Sequence, residues 1–174
     1  MATNLKTEIE VKQWLQPKIE IIVEEILAGI KEWNTKEIDR KVYDRGVPAV
    51  YERSAPDENF ASAWSGKIKT SSINEVEGEF YYDPNKMVLG DSVDGRHVSM
   101  FSSEKYGTDP GFDIRPYLAE IIYEGLSSHV FGTGFWTEKR DAWNALLNIA
   151  KVDGAKMKTW INRGAKKAGL KIVW

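Results

Sequence analysis

Ile19, Ile22, Val23, Ile26, Leu27, Ile30 and Trp33 recur three and four residues apart. Only an α-helix gathers that spacing on one side, so this stretch predicts a long amphipathic helix with an apolar stripe to bury. Glu20, Glu24, Lys31 and Glu32 fall on the opposite side. Upstream, Thr7 and Glu10 have the spacing of a capping box, which places the helix start there. Pro17 breaks the pattern and reads as the first residue of a second helical segment. Thr35 is expected to cap a shorter helix that stops at Gly46.

The period then changes. Val47 to Tyr51 is an extended connector, because the residue before Pro48 avoids the helical region. Asp57 is placed to cap a short helix holding Phe60, Ala61 and Trp64. Lys67–Ile73 and Val76–Tyr82 are rich in β-branched and aromatic residues and read as strands. Met87 to Leu89 and Val98 to Met100 would flank a further hairpin, turning at Asp94-Gly95. Tyr106 to Phe112 is a loop. Asp113 can cap a helix with Pro116 in its first turn and a stop at Gly125. Thr137 and Asp153 are placed to cap two more helices. Trp143, Leu146, Leu147 and Ala150 share a face of the first. The second runs through Met157, Trp160, Ile161 and Ala165 to Gly169. Leu170 to Trp174 alternates like a short strand.

The expected product is a single α+β domain: an antiparallel sheet packed by helices, with a long N-terminal amphipathic helix. Residues 1–46 form a helical arm and residues 47–174 the core. A chain of 174 residues suffices for one such core. No residue is cysteine, so disulfides, thiolate metal sites and a cysteine nucleophile are excluded, which fits a cytosolic origin. A net charge of -2 carries no overall basic footprint for nucleic acid. The N-terminus has no apolar leader segment, and no apolar run approaches the ~20 residues a membrane span needs.

Candidate chemistry is sparse. Asp91, Asp94 and His97 could ligate a metal in a small hydrolase or nuclease. Their spacing converges only on a helix, whereas Asp94-Gly95 favours a turn, and in a strand Asp94 would point away from the other two. His129 has no acidic neighbour in sequence and reads as a surface or structural histidine before it reads as a base. Gly132-Thr133-Gly134-Phe135 resembles a phosphate cradle but lacks a lysine in register, Lys139 coming later; a turn is the stronger reading. No cofactor is implied.

Charge is unevenly placed. Glu8, Glu10, Glu20, Glu24 and Glu25 lie near the N-terminus, and Lys151, Lys156, Lys158, Arg163, Lys166 and Lys167 near the C-terminus. Each set reads first as a solvated helix face. The basic set could also meet DNA phosphates, and the two together suit head-to-tail contact between copies, which can close a ring.

The order of the parts carries a resemblance. "PAVYERSAPDENFASAW" contains Tyr51-Glu52-Arg53-Ser54 ahead of the strands. "IIYEGLSSHVFGTGFW" follows, with Tyr123-Glu124-Gly125, a short loop, and Phe135-Trp136 before a closing helix. From residue 43 to 174 the chain resembles head–tail joining, or tail-completion, proteins of tailed double-stranded DNA bacteriophages. That family often shows an Arg-Thr-Gly-type segment before the sheet, an aromatic-Glu-x-Gly-like element and an aromatic step after a loop. Here Ser54-Ala55-Pro56 stands where Thr-Gly is usual, and no proline flanks Phe135-Trp136.

The resemblance implies a virion structural protein of the phage neck with no catalytic residues, assembled in the bacterial host cytoplasm. Its copies would form a ring, a hexamer, between the head connector or adaptor and the tail tube or tail terminator. DNA would pass through without sequence-specific binding, and no membrane is involved. Tyr51, Arg53, Tyr123, Glu124, Gly125, His129, Phe135 and Trp136 are the candidate subunit-interface residues. Rigid aromatics beside a polar loop suit such contacts. Phe135 and Trp136 serve a core equally well.

Overall fold

The computed structural model describes residues 7–43, 60–87, 115–125, 142–149, 151 and 154–174. Thr7 and Glu10 form the expected capping box. The Thr7 amide donates to the Glu10 carboxylate at 2.9 Å, and the Glu10 amide donates to the Thr7 hydroxyl at 3.2 Å. From this cap, helix α1 runs without a break over Glu8–Ile38 and widens into a π-helical turn at Asp39–Tyr43.

Two sequence expectations fail inside α1. Pro17 does not begin a second segment; it lies within the helix. An interior proline forfeits a hydrogen bond and crowds the preceding turn, at about 3 kcal/mol. Tertiary contacts on either side hold it: Gln16 donates to Ser71 at 2.8 Å, and the Lys18 ammonium donates to the Ala168 carbonyl at 2.8 Å. Thr35 caps no new helix either. Asn34 and Ile38, four apart, are both buried, so burial continues straight through the position. Glu37 then ties the last turn to Arg40 at 2.7 Å and to Lys41 at 3.6 Å. The expected stop at Gly46 lies outside the described residues.

Strand β1 covers Trp64–Ser71 and β2 covers Val76–Tyr82, close to the expected strands. They pair as an antiparallel hairpin, closed by mutual backbone bonds between Ser72 and Glu75. Phe60 to Ala63 form a turn rather than a short helix, and Trp64 is already strand. The proposed cap Asp57 lies outside the described residues. Asp83 donates its amide to the Ala63 carbonyl at 2.7 Å. Lys67 meets Glu79 at 3.2 Å and Lys69 meets Glu77 at 3.0 Å. Relative to those pairs, the Ser72–Glu75 pair is one residue out of step. Thr70 and Ser71 therefore face only Val76, the count of a β-bulge. The bulge explains Ser71. Strict alternation would put it with Lys67 and Lys69 on the charged face, yet it bonds Gln16 and Glu20 of α1.

Beyond β2, Pro84–Lys86 is a 3-10 turn capped by the Asp83 carboxylate, which accepts from the Asn85 amide at 3.1 Å. Met87 follows it. The hairpin expected around Asp94-Gly95 lies outside the described residues. After a 3-10 turn at Arg115–Tyr117 comes helix α2, Leu118–Glu124. Helix α3 spans Ala142–Ile149 and helix α4 spans Ala155–Lys167. In α3 Leu146 is buried while Leu147 is half exposed, so the core-facing line runs through Leu146. The proposed caps Asp113, Thr137 and Asp153 lie outside the described residues; the N-cap of α4 is Gly154, with no side-chain bond.

Gly169 ends α4 as expected. Its φ is 70°, and the Leu170 amide reaches back to the Ala165 carbonyl at 2.8 Å in a Schellman arrangement. The last five residues are not a strand. Trp174 instead folds back on α4, donating its indole N–H to Asn162 at 2.9 Å beneath the Lys158 ammonium. Local alternation lost to the cation and the amide that α4 offers Trp174.

The described residues fall into two compact units. The first draws on Met1–Trp33, Ser65–Tyr81 and Ala145–Trp174. In it, the part of α1 that the sequence assigned to an arm is the central pillar. Val23 and Leu27 pack under the hairpin at Gly66 and Gly78. Ile22, Glu25 and Gly29 meet α4 at Gly164 and Trp160. The second unit draws on Asn34–Trp64 and Tyr82–Asn144, and its described core is aromatic. The class is α+β, as the sequence implies: an antiparallel sheet packed by helices with a long N-terminal helix.

Candidate functional site

Two of the eight candidate interface residues, Tyr123 and Glu124, lie on α2, and a third, Gly125, directly follows it. This short helix follows a first turn containing Pro116, whose missing N–H costs nothing there. Leu118, Ile122 and Tyr123 are buried along its inner side. Gly125 stops it with φ 75°, a conformation that an L side chain adopts only with strain.

Tyr123 lies in a cluster of four rings. Its ring centroid is 6.2 Å from Phe60 and 5.9 Å from Trp64. Tyr82 lies 5.4 Å from Trp64 and 5.6 Å from Phe60. Trp64 and Tyr82 sit opposite each other on β1 and β2, so the strand register builds half of the cluster and α2 adds to it. Tyr82 donates its hydroxyl to the Met87 sulfur at 3.0 Å. Burial, with a smaller contribution from Tyr82, pushes the Tyr123 phenol well above its ordinary pKa. It therefore stays neutral across physiological pH and acts as a packing group, not as an acid or base. The adjacent Glu124 is exposed. Of the described candidates, Glu124 alone presents its side chain to the surface, while Tyr123 fastens α2 beneath it.

Tyr51, Arg53, His129, Phe135 and Trp136 lie outside the described residues, as do Asp91, Asp94, His97 and the Gly132–Phe135 loop. Among the described residues, no group of three or more His, Cys, Asp or Glu side chains comes together in a metal-ligating arrangement. No described helix is long and apolar enough to cross a membrane.

A second polar cluster lies where α1 meets α4, and the sequence reading did not single it out. Glu25 is buried, and both Arg163 and Lys167 bind its carboxylate. The Lys167 hydrogen bond holds its pKa below the ordinary carboxylate value, assisted by the charges of both cations and opposed by burial. Charges that read as two separate solvated faces are thus partly joined within one chain. The available signal was glycine. Gly29 and Gly164 each interrupt an amphipathic helix pattern, where glycine costs about 1 kcal/mol against alanine. A Cβ on Gly164 would stand 2.7 Å from the Ile22 Cα, and one on Gly29 would stand 2.5 Å from the Trp160 ring. The two helices approach closely enough for Glu25 to be shared.

The hairpin's outer face is a charge ladder. Lys67–Glu79 and Lys69–Glu77 are exposed cross-strand pairs, and Lys67 also lies over the Tyr81 ring at 4.5 Å. Such pairs contribute little stability, and they discourage unwanted strand addition. No family model, no curated protein and no solved structure matches this chain.

Proposed function

We propose that this chain is a structural component of a tailed-phage virion, a head–tail joining or tail-completion protein that forms a ring at the neck. The observation that carries the reading is the order of segments along the chain. Tyr51-Glu52-Arg53-Ser54 precedes the sheet, Tyr123-Glu124-Gly125 follows it, and Phe135-Trp136 leads to the closing helices. The hairpin that begins soon after the first segment agrees with that order, as does the helix stop at Gly125.

Such a protein works by shape and contact rather than by chemistry. Its copies would form a hexameric ring between the head connector and the tail tube or terminator. Exposed Glu124, held over a rigid aromatic base, is the described side chain best placed for a neighbouring subunit. The ring would pass DNA without binding it, which calls for a neutral or negative lining, since a strongly basic lining would hold the phosphates. No residue is assigned a catalytic role.

Deleting the gene from a phage that carries it tests the reading. The expected result is filled heads and finished tails that remain separate under the electron microscope, rejoined when the gene is supplied from a plasmid. Intact infectious particles from the deletion would contradict it.

A further inference from the structure

Residues 154–174 carry the basic side chains Lys156, Lys158, Arg163, Lys166, Lys167 and Lys171 and no acidic one. The whole chain has a net charge of -2, so positive charge is concentrated here against an acidic remainder. Glu25 takes up Arg163 and Lys167 on the flank of α4 that meets α1. Lys166 and Lys171 are exposed, with no acidic partner among the described residues. At about 100° per residue, Lys166 stands between the Arg163–Lys167 flank and the one that holds Lys158 and Asn162.

Aromatic rings border the same surface. Trp174 is 57% exposed; its indole N–H donates to Asn162 at 2.9 Å, and the Lys158 ammonium lies 5.1 Å from its ring centre. At the C-terminal end of α4, Lys18 of α1 donates to the Ala168 carbonyl and lies 4.8 Å from the ring centre of Trp14, which is 36% exposed. Near the other end, Lys156 lies 5.9 Å from the Trp33 ring. Solvation of a lysine face needs no such rings. An exposed indole fixed by a hydrogen bond offers a flat surface to another π system, and the ammonium beside it offers a charge to a phosphate. The apolar side of α4, with Met157, Trp160, Gly164 and Ala165, is buried, so this helix has no free apolar face to enter a lipid surface.

We propose that the surface formed by α4 and the chain's last residues binds single-stranded nucleic acid, its lysines meeting phosphates and Trp174 stacking on an unpaired base. Phosphate contact supplies a salt-sensitive attraction without regard to sequence. Stacking adds to it, because every base has a π face. A duplex keeps those faces inside its own stack, so the exposed ring favours a single strand. This binding goes beyond the neck reading. Under that reading the surface stands away from the channel lining, which is neutral or negative.

The test is fluorescence anisotropy of a dye-labelled oligothymidylate titrated with the full chain at several salt concentrations. Binding by the wild type is expected to weaken with salt, with a log–log slope of about -2 for Lys158, Lys166 and Lys171. K166Q/K171Q is expected to bind about tenfold more weakly and to bring the slope to about -1 or shallower. W174A is expected to bind about tenfold more weakly with the slope unchanged, and W174F to recover most of the loss. A labelled duplex should bind more weakly than the single strand at the same salt. Failure of the wild type to bind the oligothymidylate would overturn the proposal, as would a K166Q/K171Q variant that binds like the wild type. So would duplex binding as tight as single-strand binding, with W174A without effect. Association with phosphatidylserine vesicles but not with the oligothymidylate would overturn it in favour of a lipid surface. Oligothymidylate binding alongside intact deletion particles would keep this surface and remove the neck role; separated heads and tails with no such binding would do the reverse.

Discussion

Glu25 shows how one residue can carry more than its sequence context suggests. It reads as one acid among several on a solvated helix face, yet it is buried between two cations of α4. Its partners are partly exposed, so the net contribution lies between that of a surface pair and a buried one. Glu25→Gln is expected to destabilise the chain by about 1–2 kcal/mol in urea melts. The pH dependence follows from the direction of its shift. The folded-state pKa lies below the ordinary 4.5, so the contribution is complete above that value and is lost as pH falls through the folded one. The stability difference between wild type and Glu25→Gln should therefore shrink as pH falls from about 5 to about 3; a difference that grows would contradict the assignment. Gly164 is the companion case. Alanine there would gain about 1 kcal/mol of helix propensity but lose about 1–3 kcal/mol to overpacking against the Ile22 backbone. The expected net is a loss of about 0–2 kcal/mol, and a stabilised Gly164→Ala would mean that the helices are not in close contact. Neither feature was legible beforehand, because a clamp between residues 25 and 167 depends on which helices meet, and no local pattern states that.

At the scale of elements, local signals held where they were complete in themselves. The Thr7–Glu10 box, the two strands and the glycine stops at Gly125 and Gly169 all form as the sequence implies. Each is decided within a few residues. The failures are elements decided by distant partners. Pro17 stays helical because the hairpin and α4 hold the flanking residues, and the tail leaves the strand pattern because α4 binds Trp174. The cost of Pro17 is still present in the native helix. Pro17→Ala is expected to raise stability by about 1–3 kcal/mol, read by chemical denaturation. Lower stability would mean that the proline ring itself packs against a neighbour. The bulge at Thr70–Ser71 was likewise unreadable, since nothing in the alternation of β1 marks an extra residue.

For the whole molecule, the fold class was legible from the change of period along the chain, from helical at the start to alternating near Lys67 and helical again at the end. Most of the candidate site was legible only as a likeness of segment order, because contact surfaces need no fixed catalytic spacing. Tyr123 gained a physical role: with Phe60, Trp64 and Tyr82 it fastens α2 in the second unit. Trp64→Ala should cost about 3–5 kcal/mol, and it should abolish any neck activity through unfolding rather than through lost contact. Glu124→Lys should instead leave the melting temperature nearly unchanged while lowering assembly, which thermal melts together with particle yield would separate.

The central claim is that this protein resides in the neck of a phage particle. Quantitative mass spectrometry of purified particles, with the major capsid protein as internal standard, tests it most directly. A fixed number of copies per particle, no more than a single neck ring requires, is the result the account predicts. Absence from purified particles, or abundance comparable to a capsid or tail-tube protein, would contradict it.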